Sequence, residues 1–168
     1  DHRNKQVRNV RVWPEAGYGW APADLAVRWH WNFPIHISPH DSDVVYVGSQ
    51  FVHRTENGGH SWDAISPDLT LNLKDHQQSS GGVAIDNLMT YDGSLVFAIA
   101  ESPLEQGTIW VGTNDGQVQL TRDAGATWTN LTENIEGVPA WGTIANVEPS
   151  RFDAGTAYIS VDLHQMGD

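Results

Sequence analysis

The sequence contains no cysteine, and that absence excludes several kinds of chemistry at once. Without a thiol there is no disulfide, no zinc–thiolate site and no cysteine nucleophile. Basic residues are also scarce, because 9 Lys and Arg stand against 21 Asp and Glu for a formal net charge of −12. Binding to phosphate backbones needs clustered Lys and Arg, so we expect no nucleic-acid partner.

Long apolar runs and helical periodicity are missing as well. No apolar run is long enough to cross a bilayer, so no membrane insertion is expected. Phosphate-binding loops, nucleophile elbows and zincin motifs are absent too, and no cofactor is predicted. The abundant residues are 16 glycines and eight tryptophans, a composition typical of an all-β protein with many tight turns.

Two eight-residue stretches, Thr55–Trp62 and Thr121–Trp128, follow one pattern, T-x-[DN]-[GA]-G-x-[ST]-W. This chemistry predicts a tight turn between antiparallel strands, because an Asx side chain accepts bonds from nearby amides and glycine tolerates positive φ. The tryptophan is expected to fold back over the turn and shield those bonds. The residues given this structural role are Thr55, Asn57, Gly59, Ser61, Trp62, Thr121, Asp123, Gly125, Thr127 and Trp128.

Strand-like runs flank both turns in the same order. The predicted strands of the first unit are Arg28–Ile37, Val44–Gly48, Phe51–Thr55 and Trp62–Ser66. Those of the second unit are Ser94–Glu101, Thr108–Gly112, Gln117–Thr121 and Trp128–Leu131. A third unit begins with strands at Gly142–Glu148 and Thr156–Val161. Equivalent places in the three units are assigned to Tyr46, Trp110 and Tyr158, and to Pro39, Pro103 and Pro149.

Repeated four-stranded meanders predict the blades of a β-propeller. Residues 28–66 and 94–131 are each interpreted as a blade, and residues 142–168 as the first half of another. Residues 1–13, with a short strand over Val7–Val12, are interpreted as the end of a preceding blade. A propeller normally closes with at least four blades, so we interpret residues 1–168 as a fragment whose partners are neighbouring blades of the same polypeptide. Alone, its unpaired strand edges are expected to promote aggregation.

The repeated turn resembles the Asp-box, or bacterial neuraminidase repeat, of sialidases, sortilin-type propellers, xyloglucan-hydrolysing propellers and photosystem II assembly factors. The wider pattern is similar to large bacterial glycosyl-hydrolase-like and sortilin-N-terminal-like repeat proteins. It is carried by Trp31–Asp41, Val45–Gly48, Ser61–Thr70, Phe97–Pro103 and Asp153–Tyr158. Two positions depart from the usual box, since Asn57 replaces Asp and Ala124 replaces Gly. The resemblance implies a secreted protein, extracellular or periplasmic, with a glycan or peptide ligand.

In propellers, ligands bind where the blade-to-blade connections and the loops between second and third strands meet. These segments are residues 14–28, 67–93 and 130–141, with the short turns 48–50 and 113–116. Aromatic rings beside carboxylates and amides suit the stacking and hydrogen bonding of sugars, although the same residues could stabilise their own loops. The candidate ligand-binding residues are Trp20, Asp24, Arg28, His30, Asn32, Asp86, Asn87, Tyr91, Asp92 and Trp141.

Four of the polar side chains, Arg28, His30, Asn32 and His36, fall on one side of the predicted first strand. Two imidazoles on one face could bind a metal. Their six-residue spacing across a proline is not a recognised ligand pattern, so we predict no metal site and favour hydrogen bonds between blades.

Three functions remain open from the sequence. The first is a carbohydrate- or protein-binding scaffold without catalysis in this chain. The second is part of the active-site cleft of a polysaccharide-acting glycoside hydrolase, which needs two carboxyls about 5 to 9.5 Å apart. Nothing in the sequence pairs the available carboxylates, which are Asp86, Asp92, Glu101 and Asp115. The third is a sortilin-like or assembly-factor scaffold that binds peptides.

Overall fold

The structure, a computed structural model, describes residues 4–15, 17, 19–79, 81 and 94–166. This part of the chain contains ten strands and no α-helix, which confirms the all-β class. Four short 3-10 turns accompany the strands at Pro22–Asp24, Lys74–Gln77, Thr132–Asn134 and His164–Met166. None of these helical turns, the longest having four residues, could reach across a membrane.

The strands form three antiparallel sheets in chain order. The first sheet contains β1 (Ile35–Ile37), β2 (Val45–Gly48), β3 (Val52–Thr55) and β4 (Asp63–Ala64). The second contains β5 (Val96–Glu101), β6 (Ile109–Thr113), β7 (Val118–Thr121) and β8 (Thr129–Asn130). The third contains β9 (Thr143–Pro149) and β10 (Ala157–Asp162). Every strand pairs antiparallel with its chain neighbour, so the chain is a partial propeller built from four-stranded blades.

The core lies between successive sheets rather than within one sheet. One buried cluster joins the first and second sheets and includes Val44, Tyr46, Val52, Leu69, Val96, Ile99, Ile109 and Val111. A second cluster joins the second and third sheets and includes Ala98, Trp110, Val118, Leu120, Ile144 and Val147. Face-to-face burial of apolar side chains is therefore the main attraction that stacks the blades.

The first predicted strand, Arg28–Ile37, is wrong over most of its length. Only Ile35–Ile37 pairs as β1, and the backbone before it turns at residues 31–32. The assumed polar side is also wrong, because Arg28 and His30 are buried whereas Ile35 is 64% exposed. The Arg28 side chain bonds Asp68 and Ser94, which are distant in sequence, and these bonds hold the segment as a connection.

The N-terminal segment also differs from the prediction, because residues 4–13 contain no strand. This segment lies against the first box instead. Arg8 Nη2 donates to Gly58 O at 2.8 Å, and Arg8 Nη1 contacts the His60 ring. Alternating valines alone therefore did not specify a paired strand here.

A serine, rather than a proline, marks the equivalent turns between the first two strands of each sheet. The amides of Ser38, Ser102 and Ser150 donate to Val44 O, Thr108 O and Thr156 O at 3.0, 2.8 and 2.9 Å. Pro39 and Pro103 follow this serine, but Pro149 precedes it, so the predicted equivalence of Pro149 is wrong. Each serine hydroxyl also accepts an amide two residues on, those of His40, Leu104 and Phe152. This turn occurs three times, and its Ser-x-x-[Asp/Glu] spacing was the sequence signal for it.

The first box joins β3 to β4, and Asn57 organises it as predicted. Asn57 Oδ1 accepts the amides of His60 and Ser61, both at 3.0 Å, and Asn57 Nδ2 donates to Ser61 Oγ at 2.8 Å. Thr55 Oγ1 donates to Asn57 Oδ1 and accepts the Gly59 amide, both at 3.0 Å. Side chains of the box therefore satisfy the backbone of the turn.

The second box joins β7 to β8 with the same bonds around a carboxylate. Asp123 Oδ1 accepts the Thr127 amide at 2.8 Å, and Asp123 Oδ2 accepts Thr127 Oγ1 at 2.6 Å. Thr121 Oγ1 donates to Asp123 Oδ1 at 2.7 Å and accepts the Gly125 amide at 2.9 Å. These bonds, from Thr127 first and then Thr121, lower the pKa of Asp123 to about 2. The carboxylate is thus a charged clamp of the turn.

The tryptophan of each box connects its blade to the segment before it. Trp62 Nε1 donates to Val10 O at 3.0 Å, and Trp128 Nε1 donates to Ile65 O at 2.9 Å. Trp128 also packs against the cluster between the first and second sheets. The box therefore forms a turn and also links its blade to the preceding segment.

We expect Gly125→Ala to destabilise the chain strongly, because the added Cβ would lie 2.3 Å from Ile65 O at a φ of +98°. A loss of roughly 3 kcal/mol in unfolding free energy is expected from the overlap and the backbone strain. The measurement is the urea midpoint at constant m-value. Gly58→Ala is the matched control, since its Cβ meets nothing within 4 Å at a φ of +65° and Ala124 already occupies that place in the second box. Equal losses for the two variants would contradict this inter-blade contact.

Candidate functional site

The structure separates the predicted ligand-binding residues into exposed and buried groups. Trp20, Asp24 and Asn32 are exposed, and Trp141 is half-buried. Arg28 and His30 are buried. The remaining candidates lie outside the described residues, and these are Asp86, Asn87, Tyr91 and Asp92.

Arg28 is the centre of a clamp between the connections rather than an open ligand site. Its Nη2 lies 2.9 Å from Asp68 Oδ2, and its Nε and Nη2 donate to Ser94 O at 3.2 and 3.1 Å. Its backbone amide donates to Gln50 Oε1 at 2.8 Å. A buried guanidinium whose donors are engaged in this way fixes the segment before β1 to the segment before β5.

Polar side chains of the loops between second and third strands form hydrogen bonds with the backbone of the blade connections. Gln50 Nε2 donates to Ala26 O at 3.0 Å, and Asn114 Oδ1 accepts the Leu95 amide at 2.7 Å. Asp115, which is buried, accepts the Leu71 amide on Oδ2 at 2.8 Å. These polar residues were not individually predicted, apart from Asp115. Amide and carboxylate side chains within the 48–50 and 113–116 turns were the available signal.

The two histidines of the predicted polar side make separate contacts. His30 Nδ1 accepts the Asn32 amide at 2.9 Å, and the His30 ring meets Phe97 edge-on with centroids 5.1 Å apart. His36 Nε2 instead accepts the Glu101 amide of the second sheet at 3.1 Å, an inter-blade bond of the kind predicted. In the described part of the chain, no three His, Asp or Glu side chains come together as a metal site.

Glu101 and Asp115 are not a carboxyl pair. Glu101 is buried opposite Ile109 at the start of β6 and accepts the Gly107 amide on Oε1 at 2.7 Å. Asp115 follows Thr113 at the end of β6, so the backbone positions beside the two carboxyls are separated by the length of the strand, about 13 Å. The two side chains are also held by different partners, so they do not form the close pair that a glycosidase needs. The pKa of Tyr46 is raised to about 12, first by its burial and then by the negative charge of Glu101.

An aromatic pair lies where two blade connections meet. The rings of Trp141 and His76 stack with centroids 4.1 Å apart and planes 19° apart. The helical turn Lys74–Gln77, which carries His76, packs against the turn Pro22–Asp24. We call Pro22–Asp24, Lys74–Gln77 and Trp141 the connection patch. Trp20, which is 59% exposed, lies two residues before Pro22 in the sequence.

Hydrogen bonds hold the connection patch in shape. Lys74 Nζ donates to Asn72 Oδ1 at 2.9 Å and to Gln77 Oε1 at 3.1 Å. The buried Gln77 donates from Nε2 to Asn72 Oδ1 at 2.8 Å. Asn72 and Trp141 both have positive φ, of 51° and 65°, which shows that the surrounding contacts fix these backbone positions.

A different surface contains a further groove. This groove, of about 800 Å³, is mostly apolar and lies between the N-terminal segment and the first sheet, beside Trp13, Trp29 and Ile35. His53 stacks on Trp29 with centroids 5.6 Å apart, and its Nε2 lies 2.8 Å from Ser49 Oγ. Burial lowers the pKa of His53 to about 4.

We expect Arg28→Gln to lower the unfolding free energy by roughly 3 kcal/mol, because it leaves Asp68 and Ser94 O without their cationic partner. Arg122→Gln is the control, because the Arg122–Glu105 ion pair is exposed on both sides and should contribute about 0.5 kcal/mol or less. Denaturant titration at pH 7 measures both variants. Similar small losses would show that Arg28 is not a structural clamp.

His53 should make the chain less stable in acid. Its pKa of about 4 in the folded state lies below the 6.5 of the unfolded state, so the unfolded chain binds the extra proton between these values. The stability of the parent chain therefore falls as pH drops from 6.5 to 4, by at most about 3 kcal/mol through this group.

His53→Gln tests this dependence, because Gln119 occupies the equivalent position in the second sheet. As the pH is lowered from 7 to 4, the urea midpoint of the parent should fall by more than that of the variant. A difference independent of pH would contradict the buried neutral imidazole.

Comparison with known proteins supports the fold. The chain is similar to the crystal structure of a GH74 xyloglucanase from Xanthomonas campestris, with a TM-score of 0.50 and 17% sequence identity. The match covers 76% of this chain and 18% of that enzyme chain. No family model and no curated protein matches the sequence. At this level of identity, the likeness shows the β-propeller fold alone.

Proposed function

We propose that the chain is a carbohydrate-binding part of a β-propeller and that the connection patch binds a polysaccharide. The observation that carries the proposal is the Trp141–His76 stack, placed where two blade connections meet. A flat aromatic surface beside exposed polar side chains, here Lys74 and Asp75, is suited to the apolar faces and hydroxyls of sugar rings. The xyloglucanase likeness makes xyloglucan the first polysaccharide to test.

The contacts of the carboxylates on this side of the blades favour binding without catalysis. Asp68 is committed to Arg28, and buried Asp115 is committed to the Leu71 amide. Asp24 and Asp75 are exposed on the connection patch, but a glycosidase also needs a proton donor and a second carboxyl across the scissile bond. The alternative, a share in the active-site cleft of a polysaccharide-acting hydrolase, is favoured by the xyloglucanase likeness. The hydrolase alternative requires carboxyl groups in addition to those of Asp24, Asp68, Asp75 and Asp115.

We further propose that neighbouring blades of the same polypeptide pack against the first sheet. Ile35 and Ile99 occupy equivalent positions opposite Val47 and Val111, yet Ile35 is 64% exposed and Ile99 is 8% exposed. Val10 O accepts Trp62 as Ile65 O accepts Trp128, which supports residues 1–13 as the end of a preceding blade. A polysaccharide ligand also favours the extracellular or periplasmic location expected from the sequence.

Trp20→Ala and Trp141→Ala test the glycan site. We expect each substitution to weaken retention on immobilised xyloglucan by about tenfold or more, because a stacking surface is removed. Phe152→Ala is the control, since Phe152 is 97% exposed in the β9–β10 turn, at the other end of the blades. Affinity electrophoresis in xyloglucan gels measures the retention.

Unchanged retention of both tryptophan variants would exclude these residues from the site, and absence of retention in the parent chain would contradict the proposed ligand. Release of reducing ends from xyloglucan during the same assay would favour the hydrolase alternative.

A further inference from the structure

A repeated carbonyl position shows where a third box tryptophan would bind. Ile65 O accepts the Trp128 indole, and the Ile65 amide donates to Val52 O at 2.9 Å. Leu131 is the equivalent residue of the second sheet, because its amide donates to Val118 O at 2.8 Å. Leu131 O accepts the Asn134 amide at 2.9 Å and keeps a second lone pair for another donor. The sequence contains the box only twice, and both of its tryptophans are used elsewhere.

A cavity of about 370 Å³ adjoins Leu131, with space for roughly a dozen waters. Its lining repeats the surroundings of Trp128. Strand register makes Trp110 the counterpart of Tyr46, and Val118 the counterpart of Val52. In the third sheet, Ala157 and Ile159 take the places of Ile109 and Val111. The equivalent residues around Trp128 form the buried cluster between the first two sheets.

Two further residues that line this cavity, Trp110 and Gly155, could bind an incoming backbone. Trp110, 8% exposed, lines it, and its indole N–H has no hydrogen-bond partner among the described residues. A buried donor without an acceptor is costly, and a carbonyl of an incoming backbone would satisfy it. Gly155 also lines the cavity. Its counterpart Gly107 accepts the Ala124 amide of the second box at 3.0 Å.

The edge of β10 completes the arrangement. In the part of the chain that the structure describes, β10 pairs with β9 alone, so its other edge offers unpaired amides and carbonyls. Ile159 points to the cavity, whereas Tyr158 on the opposite face is 66% exposed. In the second sheet, the strand at the equivalent edge is β7, which leads directly into the box.

We propose that this cavity is a socket for the tryptophan of a third Asp-box hairpin. The first strand of the hairpin adds to the open edge of β10, and its tryptophan enters the socket and donates to Leu131 O. The occupant is a further polypeptide segment rather than a second copy of this chain, because both boxes of a copy are already engaged in its own fold. None of the residues that line the socket belongs to the connection patch, so the inference does not depend on the glycan proposal.

A fluorescein-labelled synthetic peptide copying Asp115–Glu133, which carries β7, the second box and β8, is the probe. Fluorescence anisotropy with the full chain should show saturable binding. The same peptide with Trp128→Ala should bind at least tenfold more weakly. In the chain, Ala157→Phe fills the socket and should weaken binding at least tenfold, whereas Ser160→Phe, on the other face of β10, should change it less than twofold.

A second readout avoids reliance on variants. Amide hydrogen exchange at Tyr158–Val161 should slow on adding the peptide, because a new strand covers the β10 edge. Trp141→Ala should leave peptide binding unchanged, which separates this site from the connection patch. Absence of saturable binding, equal binding of the Trp128→Ala peptide, or unprotected β10 amides would each overturn the proposal.

Discussion

The hydrogen bond from a box tryptophan to the preceding blade is the contact on which the rest of the structure depends. The side chain of Trp128 packs against the apolar cluster between two sheets and donates to the Ile65 carbonyl. A sheet in a propeller buries little apolar area within itself, so blades gain stability mainly from each other. This hydrogen bond occurs at both boxes, and it fixes the spacing and orientation of the segments that it joins.

The two ends of the blades differ in construction. At the box end, short turns are closed by side chains such as Asn57 and Asp123. At the other end, longer connections cross between blades and are held by buried polar contacts around Arg28 and Asp115. Those contacts give the connection patch a fixed shape, which is what a binding surface for a flat, rigid sugar requires. The same contacts engage Asp68 and Asp115, which agrees with the proposed recognition of a polysaccharide without bond cleavage.

Much of the fold could be predicted, because its local signals are strong. Box residues such as Thr55 and Asn57 form the predicted bonds, and the β-rich runs after Arg28–Ile37 became strands within a few residues of the expected limits. The two wrong strand predictions share one cause. Arg28–Ile37 alternates like a strand, and Val7–Val12 has strand composition, but neither finds a partner edge over its predicted length. Period-two alternation describes a side-chain pattern and contains no information about pairing.

The sequence by itself determined the all-β class, the repeat of the blades and the chemistry of the box turns, since these rest on contacts between residues a few positions apart. Only the tertiary structure decided what the candidate site residues do. It made Arg28 a buried clamp, paired Trp141 with His76 across 65 positions, and separated Glu101 from Asp115 by the length of β6. The reason is physical: burial, stacking and the separation of charges depend on which distant segments meet, and no local pattern encodes that.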